Sequence, residues 1–187
     1  MDKIIDVQKL LQRPREIVTG NRIPRSFFLT SGAGESNVTV HAGSYHLALR
    51  EAGIEMCNII TYSSIIPAIA REIVKPKLVH GSVMETISAV ANSKKGKRAT
   101  AGIIIGWLYD KENRYGGLVC EYNGNDTEKK AEKLLRMSLD ELHRNGYEHF
   151  DMKDIRIVTR SFVPKKKFGT SLVAICFTDH VYPIVEN

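Results

Sequence analysis

Apolar residues recur along this chain at two spacings, and the spacing changes several times. Within residues 3–12, Ile4, Val7, Leu10 and Leu11 predict a short amphipathic helix that Pro14 ends. Arg13 to Arg25 is a polar connection punctuated by proline and glycine. Ser26 to Thr30 reads as a short strand entering a Gly32-Ala33-Gly34 loop, where glycine permits close backbone approach. Tyr45, Ala48, Leu49 and Ala52 then fall on one helical stripe, stopped by Gly53. Met56 to Tyr62 is strand-like, with Asn58, Ile60 and Tyr62 on one face and Cys57, Ile59 and Thr61 on the other. From Pro67 to Pro76 the pattern is mixed and suggests part of a turn of helix. Leu78 to Ala91 and Arg98 to Tyr109 read as two long strands, and the turn-rich connector Asn92–Lys97 suggests a hairpin. Gly117 to Tyr122 is a further strand. Asn125-Asp-Thr-Glu-Lys129 starts a helix that buries Ala131, Leu134, Leu135, Leu139 and Leu142 and closes at Asn145-Gly146. Ile155–Val163 and Ser171–Thr178 complete the strands. Strands in runs with few helices between them predict an α+β fold with largely antiparallel sheet.

Composition narrows the class. A chain of 187 residues, 43% apolar and 26% charged, is long enough for one globular domain, read here as 1–187. No apolar run approaches the roughly 18 residues of a membrane span. The N-terminus lacks the layout of a signal peptide. Cys57, Cys120 and Cys176 each sit in an apolar run and read as reduced, buried thiols. No metal-ligand spacing occurs. The expectation is a cytoplasmic protein, off the membrane and without structural metal. The net charge of +6 includes Lys94–Arg98 and Lys165–Lys167. Both clusters read as solvated loop tips without the interleaved aromatics of a base-stacking surface, so a nucleic-acid partner is not expected. Gly32-Ala33-Gly34 lacks the spacing and lysine of a phosphate-binding loop.

The candidate chemistry lies in Asn58-Ile-Ile-Thr-Tyr-Ser-Ser-Ile-Ile-Pro67. The β-branched run favours a strand, and Pro67 biases Ile66 away from helix, so Ser63 and Ser64 fall where a strand ends and the chain bends. A serine hydroxyl at such a bend can attack the preceding carbonyl and turn the amide into an ester. Elimination across Cα–Cβ then breaks the chain and leaves an N-terminal pyruvoyl group. On spacing alone, a serine pair ending a buried strand is the ordinary reading.

The flanking segments add to this. Phe28-Leu-Thr-Ser-Gly-Ala-Gly-Glu-Ser36, Ser44-Tyr-His-Leu-Ala-Leu-Arg-Glu-Ala-Gly53, Asn58 with Ser63-Ser64-Ile-Ile-Pro67, and Gly117-Leu-Val-Cys-Glu-Tyr-Asn-Gly124 follow one another in order. Together, from about Phe27 to about Phe177, they resemble the pyruvoyl-dependent arginine decarboxylases. The resemblance implies a layered α/β/β/α sandwich, assembled as a homotrimer or a higher assembly of trimers. It also implies cleavage between Ser63 and Ser64 into 1–63 and 64–187, with the pyruvoyl cofactor made from Ser64.

Amino-acid decarboxylation needs an electron sink, and a carbonyl that forms a Schiff base with the substrate amine supplies one. Pyridoxal phosphate would need a lysine and a phosphate cradle that nothing here singles out; a protein-derived pyruvoyl group needs neither. Glu121 lies in the apolar strand Leu118-Val-Cys-Glu-Tyr122, where desolvation would raise its pKa and suit it to proton donation. The resemblance gives it that role. Asn58 matches an asparagine implicated in self-processing. Six residues of straight strand span roughly 20 Å, so Asn58 would reach Ser64 only from a neighbouring subunit or through a sharp bend. Ser63 would keep its carbonyl as a new carboxylate near the substrate. His46 stands where the family has an aspartate that takes the guanidinium of arginine in bidentate fashion. Either another acid replaces that contact, such as Glu35 or one from a neighbouring subunit, or the substrate is another amino acid. Arginine to agmatine is the first reading. A non-cleaving relative that acts as a binding subunit is the alternative from another class, with a basic RNA-binding module behind it.

Overall fold

A computed structural model describes residues 20–183. The helix expected over 3–12 lies outside that range. The element order is β1 (Ile23–Ser36), a π-helical turn (Val40–Tyr45), α1 (His46–Ala52), β2 (Asn58–Thr61), β3 (Ile65–Pro67), β4 (Arg71–Glu72), β5 (Val83–Lys94), β6 (Ala99–Asp110), β7 (Asn113–Gly124), α2 (Glu128–Arg144), β8 (Asp151–Phe162) and β9 (Phe168–Val181). Strands β2-β5-β9-β1-β4 form one sheet, antiparallel except at its two edge pairs, and β3-β7-β6-β8 form a second, wholly antiparallel one.

Strand alternation sorts the apolar residues into three layers of contact. Phe27, Ile87, Ala89, Val173 and Ile175 of the first sheet meet Ala101, Ile103, Ile105 and Val119 of the second. On the outer face of the first sheet, Phe28, Leu172, Ala174 and Cys176 pack under Ala48, Leu49 and Ala52 of α1. On the outer face of the second, Ile104, Leu108 and Leu118 pack under Leu135 and Leu139 of α2. The result is the expected α/β/β/α sandwich. β6 is covered on both faces, which is why it reads as a nearly unbroken apolar run.

Both helices follow their periodicity. Gly53 ends α1 at φ 69°, with the N–H groups of Gly53 and Ile54 donating to the carbonyls of Arg50 and Leu49. α2 starts on Thr127, whose side chain accepts from the Lys130 N–H, and buries Ala131, Leu135 and Leu139. Leu134 and Leu142 are only partly covered.

Three sequence expectations are corrected. The first strand does not stop at Thr30. β1 runs through Gly32 and Gly34, paired with Leu172 and Thr170 of β9. These glycines bare the strand so that helical backbone can lie directly on it. A Cβ on Gly32 would come within 2.1 Å of the Ala48 carbonyl oxygen, and one on Gly34 within 2.3 Å of that of Ser44. Gly32→Ala is therefore expected to lower stability by about 3 kcal/mol, the upper end for overpacking. Gly146→Ala, where an added Cβ meets nothing within 4 Å, is the control. Denaturant midpoints compare them, and equal midpoints would contradict this packing.

The segment after Pro67 forms no helix. Pro67 closes the edge strand β3, where its missing N–H is tolerated, and β4 follows. Finally, β5 and β6 are not a hairpin: β5 pairs with β2 and β9, and β6 with β7 and β8. Their inner faces, including Ile87 and Ala89 against Ala101 and Ile103, stack across the sandwich. The connector turns the chain from one sheet to the other. It meets the second lysine loop, with the Lys95 N–H on the Lys167 carbonyl at 3.2 Å and the Gly96 N–H on that of Pro164 at 3.0 Å. Lys94, Lys95, Lys97 and Lys165–Lys167 are exposed, as expected of loop tips.

Candidate active site

The serine pair is the point where the chain leaves one sheet for the other. β2 is the edge of the first sheet and β3 the edge of the second, and only Tyr62, Ser63 and Ser64 separate them. Both ends of this crossing are pinned. On the upstream side the Tyr62 N–H donates to the Thr86 carbonyl at 2.6 Å. On the downstream side the Ser64 carbonyl accepts from the Val119 N–H at 2.9 Å, and Ile65 pairs with Leu118.

β7 carries Val119 and Glu121 on the face turned toward the first sheet; Val119 is buried and Glu121 lies at the rim of that layer. The Ser64 hydroxyl reaches the Glu121 carboxylate, 3.4 Å from Oε1 and 3.3 Å from Oε2. These two residues, 57 apart in sequence, are the predicted pair that the fold brings together. Burial pushes the Glu121 carboxyl above its ordinary value, opposed by the Ser64 hydroxyl and by its own backbone N–H. Its neighbour Cys120 is pushed up to about 11 by burial, then by the Glu121 charge, and so stays a thiol. All three cysteines are free.

Asn58 and His46 do not join this pair within one chain. Asn58 is exposed at the far end of β2 and donates from Nδ2 to the Gly81 carbonyl at 2.9 Å. His46 is exposed at the start of α1, in the layer outside the first sheet, whereas Glu121 faces the opposite side of that sheet. Glu35 is already engaged, its Oε2 accepting from the Lys165 N–H at 2.7 Å and the Lys166 N–H at 3.3 Å.

One cluster beside the site was not anticipated. Glu85, only 3% exposed, receives the Tyr62 hydroxyl, forms an ion pair with Arg22 and lies against the His180 ring nitrogen Nε2. Burial and the Glu85 hydrogen bond raise the pKa of Tyr62, so its hydroxyl remains a donor. The cluster anchors the residue before the serine pair to the edge of the first sheet. The signal was present: Glu85 shares a strand face with Ile87, Ala89 and Ala91, an acid where alternation calls for a core residue. An apolar groove of about 370 Å³ runs beside β3, lined in part by Ile65, Pro67, Tyr115 and Tyr147. Among the described residues no cluster of three or more His, Cys, Asp or Glu is placed to hold a metal, and no helix is long and apolar enough to cross a membrane.

Residues 26–182 match the family model described as pyruvoyl-dependent arginine decarboxylase. The chain belongs to the pyruvoyl-dependent arginine decarboxylase family. Relatives bearing that name include one from Methanococcus vannielii, 34% identical over 127 residues that cover 67% of this chain and 75% of the relative. One from Methanopyrus kandleri is 28% identical over 156 residues, 83% of this chain and 97% of the relative. One from Pyrococcus abyssi is 26% identical over 156 residues, 81% of this chain and 94% of the relative. The match to this pyruvoyl-dependent arginine decarboxylase family takes in the serine crossing, Glu121 and the strands that hold both.

Proposed function

We propose that this chain cuts itself between Ser63 and Ser64 and then decarboxylates arginine to agmatine. The observation that carries the reading is the Ser64 hydroxyl lying on the Glu121 carboxylate at the crossing between sheets, in a member of this family. The residues suit the group the family name implies. Ser64 is the residue from which a pyruvoyl carbonyl would form, next to a carboxyl whose burial favours its protonated state. Once formed, that carbonyl supplies the electron sink for loss of carbon dioxide. Glu121 is the group that hands a proton to the carbon left behind. Cleavage would consume the Ser64 hydroxyl, one of the contacts favouring ionised Glu121, and leave burial less opposed. Self-cleavage thereby prepares the acid. Ser63 would end the first fragment as a carboxylate beside the substrate.

The site is proposed to be completed by a neighbouring copy in a homotrimer or an assembly of trimers. In support, the serine crossing runs between two sheet edges, and Ile60 and Ile65 on those edge strands are exposed. Asn58 of one copy would then assist cleavage in another, and His46 would border the substrate's far end. The protein is proposed to work in the cytoplasm.

Carbon dioxide release from a panel of amino acids tests the substrate. Arginine is expected to give the highest kcat/KM, and His46→Asp to lower KM for arginine with kcat nearly unchanged, because a carboxylate adds a bidentate contact to a guanidinium. A higher kcat/KM for another amino acid would overturn the arginine assignment.

A further inference from the structure

The geometry points to the backbone N–H of Ile65 as the oxyanion donor that promotes cleavage of the Ser63–Ser64 bond. The assignment rests on the self-cleavage reading above. In the first step the Ser64 Oγ bonds to the carbonyl carbon of Ser63, and the Ser63 carbonyl oxygen takes up negative charge. The C–N bond between the two residues then breaks, and the hydroxyl proton ends on the Ser64 nitrogen, giving an ester. In the second step the Ser64 Cα loses a proton and the Cβ–Oγ bond breaks, releasing the Ser63 carboxylate. The enamine left behind takes a proton at Cβ to become an imine, water replaces the nitrogen at Cα, and ammonia leaves. The charge that must be stabilised first is therefore on the Ser63 oxygen.

That oxygen already accepts from the Ile65 N–H at 3.1 Å, closing a three-residue turn with Ser64 at its centre. The sheet leaves this N–H available. The ladder bond from the Val119 N–H runs to the Ser64 carbonyl, so by antiparallel alternation Ile65 occupies a position whose N–H points away from β7. The donor is also held in place. Val119 fixes one side of the turn and Thr86, through Tyr62, fixes the other. Ile65 is 50% exposed, so its backbone rather than its packing carries the role.

The test replaces the amide between Ser64 and residue 65 of the full chain by an ester, using the α-hydroxy analogue of isoleucine, which deletes this N–H and keeps the side chain. Appearance of 1–63 and 64–187 after refolding is timed by denaturing electrophoresis, and circular dichroism confirms the fold. Cleavage is expected to slow by about 10²–10³-fold, as for loss of one oxyanion donor. Ile65→Pro, which also lacks the N–H, should be slowed, and Ile65→Val should not. The same ester placed at Val119 removes a pin of the turn but keeps the donor, and should slow cleavage at least tenfold less than the residue-65 ester does. Cleavage of the residue-65 ester at the unaltered rate would overturn the donor role and leave self-cleavage standing. Equal slowing of both esters would also overturn it, because the effect would then belong to the sheet edge. An unaltered chain that never cleaves would overturn the underlying reading instead.

Discussion

Ser64→Ala is expected to leave one uncut chain of 187 residues that releases no carbon dioxide from arginine. Alanine at this position has no hydroxyl to attack the Ser63 carbonyl and no oxygen to eliminate, so neither the break nor the carbonyl at residue 64 can form. The substitution removes one atom, the one that touches Glu121, and leaves the backbone pins at Thr86 and Val119 intact. The loss should therefore come without unfolding. Ser63→Ala is the matched control. The attacked carbonyl belongs to that residue's backbone, so its cleavage should persist. Denaturing electrophoresis with a carbon dioxide assay reads both variants, and a decarboxylating Ser64→Ala protein would rule out a pyruvoyl group made from Ser64.

Glu121→Gln is expected to cut itself and then turn over poorly, with kcat reduced by about 10²–10⁴-fold, the usual contribution of a positioned general acid. Glutamine keeps a carbonyl that can accept the Ser64 hydroxyl, so the crossing stays oriented for cleavage, but it has no proton to give. The pH dependence follows from the direction of the shift. A donor works in its protonated form, and burial raises the pH at which Glu121 loses its proton. The falling limb of kcat should therefore lie above the ordinary glutamate value of about 4.3. In Glu121→Gln that limb should flatten. Undiminished kcat in the variant would remove Glu121 from the acid role.

What could be read in advance depended on how local the cause was. The α1 stripe, the Gly53 stop and the buried face of α2 follow from one helix meeting one sheet, and periodicity within a few turns reports that. Glu121 stood out as an acid in an apolar strand, and the serine pair as a strand end before Pro67. The run through Gly32 and Gly34 could not be read locally, because the reason for those glycines is the backbone at Ser44 and Ala48. Turn residues between β5 and β6 announce a reversal without saying whether the second strand pairs beside the first or stacks over it. The setting of Glu85 is assembled from Arg22, Tyr62 and His180, which no window of sequence joins.

The most direct measurement is the intact mass of the purified protein under denaturing conditions. Two species are expected: residues 1–63 ending in a free carboxylate, and residues 64–187 lighter by one ammonia than a serine start would leave them. A single mass for the uncut chain, in protein that is folded and assembled, would contradict the account.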